Sequence, residues 1–111
     1  MQDTPQFQNA KAFAAGQIEH ARLFLERCSP EPEILGLSVY PTDADARACT
    51  GEDLSAALHW LAMQSVVYVM AEEEVRVSLV RTHANEYFAW LAGRPNTDDA
   101  RAEYATMRAN P

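Results

Sequence analysis

Lysine is almost missing from this chain: Lys11 is alone, with eight scattered arginines beside it. Binding to nucleic acid needs clustered cations to neutralise phosphates, so direct nucleic-acid recognition is not expected. Anionic membrane surfaces are disfavoured on the same ground. No apolar run approaches the ~18–20 residues needed to cross a bilayer. The start, Met1-Gln2-Asp3-Thr4-Pro5, lacks a basic region and an apolar core, so no secretory signal is expected. The expected compartment is the cytoplasm, and the two cysteines are expected as thiols there.

Glycine is also sparse. Gly16, Gly36, Gly51 and Gly93 stand alone, which excludes a glycine-rich phosphate loop. No Gly-x-Ser-x-Gly elbow is present, and no serine, histidine and acid share a nucleophile-type spacing. Catalysis is therefore not expected, and no cofactor is implied.

What the chain does have is negative charge, unevenly placed. Its net charge is −7, and residues 29–53 hold most of it: Glu31, Glu33, Asp43, Asp45, Glu52 and Asp53 stand against the single Arg47. Residues 1–28 and 93–111 are each balanced. The acidic stretch is also the least helical in pattern. Long irregular segments between regular elements commonly carry binding surfaces.

The 111 residues predict a single domain, 1–111, with an ordinary 48% apolar content. The expected fold is mainly α, a small domain of three to four helices with a long irregular acidic segment. Thr4-Pro5 reads as a helix start, and Phe7, Ala10, Ala14, Ile18, Ala21, Leu25 and Cys28 recur at steps of three and four. Ser29-Pro30-Glu31-Pro32 stops that helix near Arg27. Residues 34–40 read as a short strand or an extended segment, closed by Pro41, and 42–48 as a helical turn. Thr50 reads as the start of a second helix, with neither glycine nor proline between Glu52 and Ala92. Its stripes are Leu54, Leu58, Leu61, Ser65 and Val69, then Val77, Val80, Ala84, Tyr87 and Leu91. A final helix begins at Asn96 or Thr97, with Asp98 and Asp99 in its first turn.

The alternative is α+β, with a small sheet from 34–40, 65–70 and 75–80. The last two runs are rich in β-branched residues and could pair as a hairpin. Their link, Ala71-Glu72-Glu73-Glu74, is poor turn chemistry and good helix chemistry, which favours helix.

Among candidate chemical groups, His83 and Glu86 lie one helical turn apart, the reverse of the Glu-x-x-His order of di-iron bundles. No two histidines share a ligand spacing, so a surface histidine beside an acid is the favoured reading and no metal is expected. His59, next to Trp60, reads as a helix-surface or interface residue. A Cys28–Cys49 disulfide would close the acidic segment and stabilise it by about 3 kcal/mol. Glu72-Glu73-Glu74 splays around a helix and reads as a solvated face.

The expectation for function is a non-enzymatic protein–protein interaction or regulatory module. Its six acids (Glu31, Glu33, Asp43, Asp45, Glu52, Asp53) would steer a basic protein surface, anchored by Leu37, Val39 and Tyr40. An inhibitor presenting carboxylates to a nucleic-acid-binding protein is the sharper form. Two rivals stand beside it. One is a metal- or ligand-binding bundle using His83, Glu86, His59 and Glu73, which requires a polar pocket between helices. The other is a structural homodimer through Trp60 and Trp90.

Overall fold

The computed structural model describes residues 5–111. The chain is mainly helical, with a small sheet. The elements run α1 (Pro5–Arg27), β1 (Leu35–Val39), α2 (Asp43–Thr50), α3 (Ala56–Glu72), β2 (Val77–Arg81), α4 (Ala84–Leu91) and α5 (Asp98–Ala109). Pro5 is the first described residue of α1, and its missing N–H is tolerated in the opening turn of a helix. The proposed Thr4 cap lies outside the described residues. Thr97 caps α5 as expected, its side chain accepting from Ala100 N–H.

The sheet pairs β1 with β2 in parallel, in a register running from Leu35 opposite Val77 to Val39 opposite Arg81. A parallel pair cannot close through a tight turn and needs a long crossover. Here α2 and α3 supply it. The hairpin over 65–80 is therefore corrected: Ser65–Met70 is helix within α3, and 75–80 finds its partner in the 34–40 segment instead. Leu35, Gly36, Leu37 and Ser38 are all buried, which explains why β1 shows no polar alternation.

The unbroken helical stretch from Thr50 is also corrected. Thr50 ends α2, Gly51 adopts the left-handed conformation that closes it, and α3 starts at the Ser55 cap. After Glu72 the chain turns through Glu74 at positive φ and enters β2. Val77 and Val80 thus lie on a strand, while Tyr87 and Leu91 lie on α4.

The strands separate two sets of contacts. Leu35 and Leu37 face Ala21 and Phe24 of α1 and Met63, Val66 and Met70 of α3. One residue out of phase, Gly36 faces α5. Contact there is so close that a Cβ on Gly36 would stand 2.1 Å from the Ala105 carbonyl oxygen. A second cluster gathers Tyr40, Ala46, Cys49, Tyr87, Leu91 and Tyr104 from four different segments.

A polar cleft between α1, α2 and α5

α1 and α5 are stitched along one seam by polar side chains. Gln17 Nε2 donates to Asp98 Oδ1 at 3.2 Å, His20 Nε2 lies 2.7 Å from Asp99 Oδ1, and Arg27 pairs with the same Asp99 oxygen. Where this seam meets the end of α2, a cleft of about 390 Å³ opens, lined by Asn9, Gln17, Thr50, Glu52, Asp98 and Arg101 and flanked by the Phe13 ring. The same walls narrow inward to a chamber of about 20 Å³ that Ser38, Tyr40 and His59 also line. That volume has room for one water molecule.

Arg101 organises the outer wall. Its Nη1 donates to the Cys49 carbonyl at 3.0 Å and to Asn96 Oδ1 at 2.7 Å, and its Nη2 donates to Asp98 Oδ1 at 2.6 Å. Asn96 in turn accepts from Tyr87 Oη at 2.7 Å and donates to the Cys49 carbonyl at 2.9 Å. Burial raises the Asp98 carboxyl, but hydrogen bonds from Arg101 and Gln17, with the Arg101 charge, outweigh it and leave the group below its ordinary value. The pair is ionised and internally neutralised.

His59 forms part of the inner wall. It is 1% exposed, and its Nδ1 has no hydrogen-bond partner among the described residues. The ring lies between Phe13 (centroids 5.1 Å apart) and Tyr40 (4.8 Å). Burial, with a smaller effect from the Arg101 charge, pushes its pKa from 6.5 down to about 4. The imidazole is therefore neutral at pH 7. The expected surface position of His59 is corrected. The buried face of α3 is His59, Ala62, Met63, Val66 and Met70, while Leu61 is 50% exposed. α3 is apolar nearly all round, so its sequence fits two stripes one residue out of phase, and packing on α1 and β1 selects this one.

The other expected site residues are dispersed. Leu37 and Tyr40 are buried in separate clusters, and Val39 packs against the α1–α3 core, so none of the three is presented as an anchor for a partner. Asp43 Oδ1 accepts from Ala56 N–H at 2.8 Å, holding the start of α3. Asp45 Oδ1 accepts from Ala84 N–H at 2.9 Å, which stands in for a cap on α4. That bond, with a second from Thr42, holds the Asp45 carboxyl below its usual range. Glu33 pairs with Arg76 at 3.2 Å. Glu31, Glu52 and Asp53 are exposed. Glu31 and Glu33 precede β1 and the other four acids follow it, and five strand residues span about 16 Å.

His83 is exposed at the start of α4, Glu86 lies 3.9 Å from Arg108, and Glu73 is held by Arg22 at 2.8 Å. Among the described residues no group of three or more His, Cys, Asp or Glu is placed to hold a metal ion. Cys28 and Cys49 are free thiols, so no disulfide closes the acidic segment. Burial pushes the Cys49 thiol up to about 11. Trp60 is 45% exposed on α3, whereas Trp90 packs on Tyr87 and Tyr104 with Arg94 over its ring, so the two do not share a surface cluster. No described helix is long and apolar enough to cross a membrane.

Comparison with known proteins finds no matching family model, no matching curated protein and no matching solved structure. The cleft must be read from its own chemistry. Gln17, Asp98 and Arg101 escaped sequence reasoning because nothing local links position 17 to positions 98 and 101. The one available signal was the (i, i+3) pairing of Asp98 with Arg101.

The His59 environment sets a pH dependence. Its folded pKa lies below the unfolded value, so below about pH 6.5 the unfolded chain takes up a proton that the folded chain refuses. The stability contribution is complete above pH 6.5 and is lost as pH falls to about 4, by roughly 3 kcal/mol in all. Urea titrations across this window are expected to show a smaller loss in His59→Gln than in the unsubstituted protein. Equal losses in the two proteins would remove His59 as the cause.

Proposed function

We propose that this chain is a non-enzymatic binding protein whose cleft between α1, α2 and α5 receives a small uncharged molecule carrying both a hydrogen-bond donor and an acceptor. The observation that carries the reading is His59: a buried imidazole with one nitrogen that no described residue partners, at the narrow end of a polar cleft. Buried polar atoms are nearly always paired, and exceptions cluster where a water or ligand belongs. Glu52 faces solvent at the mouth, and the lining inside it supports an uncharged occupant. Asp98 takes up the Arg101 charge, His59 is neutral at pH 7, and Asn9, Gln17 and Thr50 offer neutral donors and acceptors. Concave sites with a few converging polar groups beside an aromatic wall are typical small-molecule sites.

The test is a titration of the ¹⁵N-labelled protein with three probes of similar size: acetamide, acetate and methylammonium. Acetamide is expected to shift the amide signals of Gln17, Thr50 and Arg101, and the other two are not. His59→Phe is expected to weaken the acetamide response. Absence of any response clustered at the cleft, or a stronger response to acetate, contradicts the reading.

A second reading is favoured by the exposure of Glu31, Glu52 and Asp53, with Glu52 also at the cleft mouth. In that reading these acids, with Glu33, steer a basic protein surface, as a regulator or an inhibitor of a nucleic-acid-binding protein would. It expects a basic partner retained from lysate at low salt to be lost when Glu31, Glu52 and Asp53 are changed to glutamine. Unchanged retention would discard it.

A further inference from the structure

The two edges of the sheet differ. α5 closes the free edge of β1: Gly36 N–H donates to Thr106 Oγ1 at 3.0 Å, and Asn110 takes up both backbone polar groups of Ile34, at 3.2 and 2.8 Å. No described residue closes the free edge of β2. Leu35 N–H donates to the Arg76 carbonyl and Thr82 N–H donates to the Val39 carbonyl. The ladder between them alternates, so the N–H and C=O groups of Val77, Leu79 and Arg81 point away from β1. Such an edge is a template for another strand. The usual safeguards of proline, a bulge or an inward lysine are missing from Val77–Arg81. Beside this edge, between the end of α3 and the start of β2, runs a groove of about 430 Å³. Val67, Ala71, Val75 and Val77 give it an apolar wall, and Glu74 contributes a carboxylate. Arg76, which also lines the groove, is paired with Glu33.

We propose that β2 pairs antiparallel with β2 of a second copy about a twofold axis at Leu79, joining the two small sheets into one of four strands. Self-pairing in this register uses all three outward-facing residues: Leu79 meets Leu79 of the second copy, and Val77 meets its Arg81. Charge complementarity selects the occupant. Arg81 of the second copy lies over Val77, its aliphatic stem covers the apolar groove, and its guanidinium reaches Glu74. Among the described residues Glu74 and Arg81 are exposed and neither is joined in an ion pair, which leaves both for this contact. The arrangement is isologous and closes at two copies. It uses neither Trp60 nor Trp90, and it is independent of the cleft.

Sedimentation equilibrium of the full chain across a concentration series tests it. A dimer is expected. Arg81→Glu and Glu74→Arg should each raise the dissociation constant by about tenfold or more, and the double variant should recover most of the loss. Circular dichroism should show all three variants folded, because both side chains are exposed. A chain that stays monomeric to about 1 mM, or a dimer indifferent to both substitutions, overturns the proposal.

Discussion

The seating of α5 against β1 is the constraint on which the other features depend. A helix backbone rests on a strand at Gly36, and any side chain there would drive a carbon into the Ala105 carbonyl. The approach lets Thr106 take up the Gly36 N–H and Asn110 both backbone polar groups of Ile34, bonds worth about 1 kcal/mol each. It also keeps Ala102 and Ala105 buried at the contact. With α5 seated, Asp98 and Arg101 at its start reach Gln17 of α1 and the end of α2. The cleft depends on this seating, since one of its walls is carried by α5.

The same economy governs the acids. Residues 29–53 look like a charged loop in sequence, but two of their six carboxylates close helix ends: Asp43 serves α3 and Asp45 serves α4. Each acts across 13 or 39 residues of chain. The charge at these positions is partly architectural, a carboxylate offsetting the unsatisfied N–H groups that every helix start presents. Glu31, Glu52 and Asp53 are left facing solvent.

These examples show what was legible in the sequence. The end of α1 and the start of α5 could be read because proline, the three-and-four spacing and a threonine cap act locally. The extended character of 34–40 was legible from its short apolar run closed by Pro41. The parallel partner was not, because β1 and β2 lie about forty residues apart in the chain, and only the crossover joins them. The phase of α3 was hidden by its uniform apolarity: nothing local shows that His59 lies on the face that α1 and β1 bury. Of the candidate site, His59 alone had been named as part of a pocket-forming set. Its companions Gln17, Asp98 and Arg101 meet it only through tertiary packing.

The most direct test of the α5 seating is hydrogen exchange at Gly36. Its N–H faces away from β2 and has Thr106 Oγ1 as its partner, while Leu37 N–H faces β2. If α5 remains seated until the protein unfolds globally, Gly36 exchanges as slowly as Leu37, and Thr106→Ala speeds Gly36 selectively. Rapid exchange at Gly36 in the unsubstituted protein, with Leu37 still protected, would mean that α5 lifts away independently. The cleft wall it carries would then not be a fixed part of the fold.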